Sequence, residues 1–232
     1  MFIPLCIFNK IDSTNKEAKK IIQNNNNLSN FAIFAHEQTA GVGKMGASWH
    51  SNLGNIHLSI VLKFNNLNSL GLVSISAALA IKNSLLPHLK TNNSVHLKWP
   101  NDVLINEAKI SGCLIEIEQD YLIIGIGVNI TNSPILDKYK TIFLNSVAKN
   151  NVDAVSLSHN IIKELFILLN QLDDSQSIIN DYLKYSYSLN KKLQINTSKG
   201  QINGVFLGIS SKGFLQIKTQ NDIIEISSGE IS

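Results

Sequence analysis

The segment "VHLKWPNDVLINEAKISGCLIEIEQDYLIIGIGVNI", residues 95–130, decides the fold of this chain. It reads as a succession of strand-like pieces, VHLKW, VLI, KISGCLIEIE and YLIIGIGVNI, rich in β-branched and aliphatic residues. The connections between them are short and carry turn chemistry at Pro100-Asn101-Asp102, at Asn106-Glu107 and around Asp120. Parallel neighbours need long crossovers, so strands this closely spaced predict an antiparallel or mixed sheet.

Upstream, PLCIF reads as a short strand and DSTNKEAKKIIQ as a helix, opened by a capping box from Thr14 to Glu17 and ended by Asn24–Asn27. FAIFAHE (31–37) and NIHLSIVLKF (55–64) read as strands, and residues 69–86, apolar nearly all round, as a buried helix stopped before Pro87. Downstream, SLSHNIIKELFILLNQL and the segment through IINDYLKYSYSL carry helical patterns. After Asn190 the texture changes to short strands separated by Ser, Lys, Gly and Asn, spaced as a small barrel requires. The expected division is a front domain over 1–188 and a small β-barrel over 189–232, an α+β chain in all.

At 232 residues, 44% hydrophobic and 16% charged, the chain can fill a core. No apolar run is read as approaching the roughly 18 residues that cross a bilayer, and MFIPLCIF has no basic start, so a cytoplasmic protein without a membrane partner is expected. Cys6 and Cys113 sit in apolar segments and read as buried free thiols. The net charge of +3 is mild and scattered, which argues against a dedicated nucleic-acid binder. Every basic residue is lysine, so no anion can be held by a guanidinium fork. From Gln38 to Asn101 there is no Asp or Glu, yet Lys44, Lys63, Lys82, Lys90 and Lys98 fall there, a balance suited to an anionic ligand or to a solvated surface.

The loop EQTAGVGKMGASW (37–49) spaces Gly41, Gly43 and Gly46 as G-x-G-x-x-G. A dinucleotide site would need a helix after the loop and an acid about 20 residues on; a P-loop would need Gly-Lys-Ser/Thr. The sequence supplies none of these, leaving a flexible hairpin or a loop whose amides approach an anion, with Lys44 as a point charge and Trp49 as a flat wall.

DSTN (12–15), QTAGVGKMGASW (38–49), KWPNDV (98–103), KISGCLIE (109–116) and GIGVNI (125–130), in this order and spacing, resemble the biotin protein ligases. The resemblance spans essentially the whole chain. It implies a class II synthetase-like catalytic domain with a C-terminal SH3-like barrel. It also implies a two-step reaction in which biotin and ATP, with Mg²⁺, give biotinyl-adenylate, and a lysine of a biotin carboxyl carrier domain of a biotin-dependent carboxylase takes the acyl group. Monomers and homodimers are both compatible with it. The chain begins directly with the first catalytic element, so the helix-turn-helix of some members, and DNA binding with it, is not expected.

Carried over residue by residue, the resemblance makes Lys109, Lys44 and Asp102 the catalytic candidates. It puts Ser13, Thr14, Asn15, Gln38, Gly41, Val42, Gly43, Lys44, Trp49, Lys109 and Gly112 against biotin, and Lys44, Met45, Trp49, Lys98, Asn101, Lys109 and Asn129 against the nucleotide. The chemistry is consistent with these residue types. A carboxylate and a triphosphate repel, and one cation at ~4 Å offsets about 4 kcal/mol at an effective dielectric near 20. An acceptor amine of pKa ~10.4 is neutral in about one molecule in 2,500 at neutral pH, so Asp102 reads either as the group that orients or deprotonates it or as a turn acid after Pro100. Ser13 and Thr14 read equally as helix caps, and Asn129 equally as a turn residue. The family's loop is usually arginine-rich; here Val42, Met45 and Ala47 are uncharged and only Lys44 keeps charge, which predicts a weaker grip on the adenylate. A lipoate or octanoate ligase or transferase of the same fold, and a non-catalytic binding module, are the alternatives.

Overall fold

The computed structural model describes residues 3–64 and 70–231, Met45 by its backbone alone. Strand β1 (Leu5–Ile11) runs through helix α1 (Thr14–Gln23) into β2 (Phe31–Gln38), and this crossover makes β1 and β2 the parallel pair of the sheet. The glycine loop follows, with a single 3₁₀ turn at Lys44–Gly46, then β3 (Ile56–Lys63) and helix α2 (Leu70–Leu85). The deciding segment becomes β4 (Val95–Lys98), β5 (Asp102–Ile105), β6 (Ala108–Glu118) and β7 (Tyr121–Val128), in the order β1-β2-β3-β7-β6-β5-β4. Every pair but β1–β2 is antiparallel, so the expected mixed sheet stands.

The pleat sorts the two faces. Ile33, Val61, Ile123 and Tyr121 point to one side and pack under Ala18 and Ile22 of α1. Phe34, Leu58, Ile60, Ile124 and Ile126 point to the other, beneath α2, α4 (Ala154–Leu169) and α5 (Ser175–Lys184). Helix α2 is buried on nearly every side, as its lack of a polar face requires. Extended through its 3₁₀ turn, Leu70–His88 is 19 residues with a mean hydropathy of 1.4, long and apolar enough to cross a bilayer on composition alone. The expectation that no segment approaches that length is therefore corrected; with 67% of its window buried against the sheet and α4, the helix serves as the core of this fold.

A short helix, α3 (Leu144–Val147), precedes α4, and α5 ends at Lys184 rather than continuing through the tyrosine-serine run. The C-terminal strands β8 (Lys192–Thr197), β9 (Gly200–Ile209), β10 (Leu215–Lys218), β11 (Ile223–Ile226) and β12 (Glu230–Ile231) form an antiparallel sheet ordered β11-β10-β9-β8-β12. Two further expectations are corrected. Cys6 is exposed, because β1 is the edge strand, whereas Cys113 is buried. The capping box does not form: Ser13 holds the N-cap position without a side-chain bond, and the Thr14 amide donates to Gln38 Oε1 from β2 at 2.7 Å.

Candidate active site

Beyond the N-terminus of α1 the sheet face is built almost without side chains. The cross-strand rows Ser59–Gly125–Leu114 and His57–Gly127–Gly112 leave a trough. A Cβ on Gly125 would lie 2.5 Å from Asn15 Oδ1, and one on Gly127 would lie 2.2 Å from the Trp49 ring. These glycines let Asn15 and Trp49 lie on the sheet itself. The trough opens into a cavity of about 650 Å³.

One wall is a continuous polar chain. Asn15 Nδ2 donates to Glu116 at 2.8 Å, and Lys19 pairs with the other oxygen of Glu116 at 2.6 Å. The Ser59 hydroxyl lies within bonding distance of Asn15 Oδ1 and 2.7 Å from Thr14 Oγ1. Thr14 Oγ1 donates to Gln38 Oε1 at 3.1 Å, Gln38 Nε2 to Ser51 Oγ at 2.7 Å, and Ser51 Oγ to the Trp49 carbonyl at 3.2 Å. Helix α1, β2, β3 and the glycine loop are thus locked together by side chains of which Thr14, Asn15 and Gln38 also line the cavity.

The other end is charged. Lys109 Nζ lies 2.7 Å from Asp102 Oδ1, with only 18% and 21% of these side chains exposed. The ammonium also stands 5.9 Å from the Trp49 ring centre and 5.3 Å from that of Tyr139. Burial pulls the Lys109 ammonium toward losing its proton, but the charge and hydrogen bond of Asp102 more than offset it, and the net shift is upward. A Cβ on Gly112 would sit 3.1 Å from Asp102 Oδ1 and 3.3 Å from Lys109 Nζ, so glycine keeps room for the pair. Lys44 Nζ donates to the Gly229 carbonyl of the C-terminal sheet at 3.0 Å and lies 5.7 Å from the Trp99 ring centre. For Lys44 burial wins over Asp102 and Glu230, and its pKa is lowered. In the cavity wall, burial also raises the Cys113 thiol to about 12 and lowers the His57 imidazole to about 4.

Of the residues singled out from sequence, Ser13, Thr14, Asn15, Gln38, Val42, Gly43, Lys44, Trp49, Lys98, Asn101, Asp102, Lys109 and Gly112 all line this cavity. Lys44 and Lys109 therefore face one site. Gly41 does not line it; a Cβ there would lie 2.5 Å from Ser51 Oγ and 2.6 Å from the Trp49 carbonyl, so it lets the loop pack tightly. Asn129 also lies outside the lining: it is buried, its side chain donates to the Ile142 carbonyl and its backbone bonds Ile110 and Leu144. The side chain of Met45 lies outside the described residues. Asn101 donates to the Cys113 carbonyl, tying the β4–β5 turn to β6. Sequence reasoning missed His57, Ser59, Gly125, Gly127, Tyr139 and Glu230. Of these only the glycines carried a signal, because they fall two apart on the strand face shared with Ile123.

A glycine loop and two cations closing over one cavity, on a mixed sheet with a small β-domain behind, define a site that brings two anionic groups together. The Biotin/lipoate A/B protein ligase family matches residues 7–129, and the Biotin protein ligase C terminal domain matches residues 189–232. The chain belongs to the biotin/lipoate A/B protein ligase family. It is 24% identical over 225 residues to the biotin--[acetyl-CoA-carboxylase] ligase of Mycobacterium tuberculosis, covering 94% of this chain and 85% of that one. It is 29% identical over 237 residues to the bifunctional ligase/repressor BirA of Bacillus subtilis, covering 95% and 71%. Among solved structures, the biotin protein ligase of Aquifex aeolicus in complex with biotin and ATP superposes with a TM-score of 0.84 at 28% identity, covering 100% of this chain and 98% of that one.

Proposed function

We propose that this chain is an ATP-dependent biotin protein ligase that forms biotinyl-5'-AMP and transfers biotin to a lysine of a biotin carboxyl carrier domain. The observation that carries the reading is the sharing of one cavity by the Lys109–Asp102 pair, Lys44, Trp49 and the Thr14–Gln38 chain. The similarity to the Aquifex ligase and the match of the C-terminal domain support biotin over lipoate or octanoate.

In the first step a biotin carboxylate oxygen attacks the α-phosphorus of ATP, the bond to the bridging oxygen of the β-phosphate breaks, and pyrophosphate leaves. Lys109 and Lys44 neutralise the two anions that must touch, in a site dry enough for each charge to count. Asp102 keeps Lys109 protonated and aimed. Among the described residues no group of three or more His, Cys, Asp or Glu side chains stands together to hold a metal ion, and the Asp102 carboxylate is engaged by Lys109. Magnesium is read as entering with the ATP substrate, on its triphosphate. In the second step the carrier amine attacks the acyl carbon, the bond to the phosphate oxygen breaks, and AMP leaves with the bonding electrons. The amine's proton passes to a carboxylate at the cavity, with Asp102 the candidate, or to solvent.

Incubating the protein with ATP and biotin, lipoate or octanoate, and measuring pyrophosphate release, tests the first step; release with biotin alone is expected, and release with lipoate or octanoate but not biotin refutes the reading. Labelling of a biotin carrier domain tests the second and separates a ligase from a binding module.

A further inference from the structure

Every cation that this chain can set against an anionic substrate is a lysine, and a lysine amine is also the nucleophile that the second step acylates. The two lysines at the charged end of the cavity are held differently. Lys109 Nζ is paired with Asp102 at 2.7 Å and its pKa is raised, so it stays an ammonium. Lys44 Nζ donates instead to a neutral group, the Gly229 carbonyl at 3.0 Å, and makes no ion pair among the described residues. It is half-buried, and burial lowers its pKa against the opposing charges of Asp102 and Glu230. Both side chains line the cavity, and both act on the Cys113 thiol in its wall, so the paired and the unpaired amine converge on one end of the site.

The charge on Lys44 answers the load of anions in the first step. With biotin and ATP bound, a carboxylate and a triphosphate favour its ammonium form. Once pyrophosphate has left, only the adenylate phosphate remains; that support falls while burial stays. A reactive acyl phosphate then lies beside a lysine whose free amine is reached at lower pH than that of an ordinary one. An arginine at this place could not react, because a guanidinium keeps its proton. We propose that Lys44 is a self-modification site: in the absence of a carrier domain, its Nζ takes the biotinyl group from the biotinyl-adenylate formed in the same cavity. The neutral amine attacks the acyl carbon, the bond from that carbon to the phosphate oxygen breaks, AMP leaves with the bonding electrons, and one amine hydrogen departs as a proton to water. The amide so formed is uncharged, so the glycine loop loses the cation that serves adenylation and the enzyme disables itself. A carrier domain protects it by consuming the adenylate. This inference rests on the biotin-ligase reading.

The test incubates the full-length wild type with ATP and biotin, with and without a biotin carrier domain, and maps chymotryptic peptides by mass. Without the carrier, Lys44 is expected to gain one biotinyl group, at least about tenfold more often than the exposed Lys16, Lys90 and Lys199, because acyl group and amine share one cavity. The labelled fraction is independent of protein concentration and withstands added free lysine, as transfer within one molecule requires. Its rise with pH begins lower than that of the exposed lysines. After desalting, biotin transfer to carrier with fresh substrates falls in step with the labelled fraction, whereas Lys44→Arg taken through the same treatment keeps its own starting rate. Should Lys44→Arg not fold, the mapping of the wild type decides alone. Label spread evenly over exposed lysines, label that falls on dilution or with added lysine, or pyrophosphate release without label on Lys44 overturns the inference and leaves the ligase reading standing. A wild type that releases no pyrophosphate with biotin condemns the function and this inference with it.

Discussion

At the scale of the residue, the site is made as much by missing side chains as by present ones. Gly127 lies under Trp49, and an added methyl at 2.2 Å from the ring must lift it off the sheet. Overpacking of this kind costs about 1–3 kcal/mol, so Gly127→Ala is expected to weaken biotin binding roughly tenfold, as read by titration calorimetry. Charge is arranged as economically. Lys109 stays protonated because Asp102 opposes the pull of burial. In Asp102→Asn burial is opposed only by the smaller influences of Tyr139 and Cys113, the Lys109 pKa falls from its raised position, and its charge is lost as pH rises through the lowered value. Adenylation should therefore fail at lower pH than in the wild type, and a pH profile of pyrophosphate release will show the alkaline limb displaced downward. An unmoved limb would mean that Lys109 does not serve as the needed cation.

Elements meet at this site through side chains rather than through their own caps. The first amide of α1 is bonded by Gln38, the last residue of β2, and the same side chain holds Ser51 at the far end of the glycine loop. Helix α1 is thus clamped to the sheet at its N-terminus, while Ala18 and Ile22 bury its apolar stripe. Gln38→Ala leaves the Thr14 amide and hydroxyl without their acceptor and the Ser51 oxygen without the Gln38 donor, a loss of about 1–3 kcal/mol. Urea denaturation should report it as a lower midpoint with an unchanged slope, accompanied by a raised KM for biotin. The glycine loop itself holds only the Val42–Ser48 bridge and the Lys44–Gly46 turn, so Lys44 is steadied from elsewhere.

That support comes from the whole molecule. The C-terminal sheet offers the Gly229 carbonyl to Lys44, and the turn before β10 offers the Gly213 carbonyl to the Trp99 indole at 3.3 Å. The two units touch where Gly213, at φ +80°, meets Gly71 at the start of α2, leaving no space for a Cβ on either residue. Gly213→Ala is strained in its backbone and would bring a methyl 2.2 Å from the Gly71 carbonyl carbon. The expected outcome is a lower melting temperature and faster escape of biotinyl-adenylate, measured by rapid filtration, because Lys44 loses its anchor.

Much of this architecture can be read along the chain. Strands β4 to β7 follow from short turns and period-two apolar runs, and α2 from an apolar surface that only a core could accept. Lys109, Lys44, Asp102, Trp49 and Gln38 could be named because they lie in short motifs that resemble those of the biotin protein ligases. Cross-strand register cannot be read that way: it sets Gly127 across from His57 and Gly125 across from Ser59, which opens the trough. Asp102 shows the division most clearly, since a turn acid after Pro100 is evident from sequence, whereas its pairing with Lys109 depends on a β-bulge between β5 and β6. Patterns of hydrophobicity and turn chemistry act between near neighbours and so determined the elements and their class. The site depends on groups up to 185 residues apart, as from Lys44 to Gly229, and only the packed tertiary structure, by excluding water around them, decided their partners and charge states.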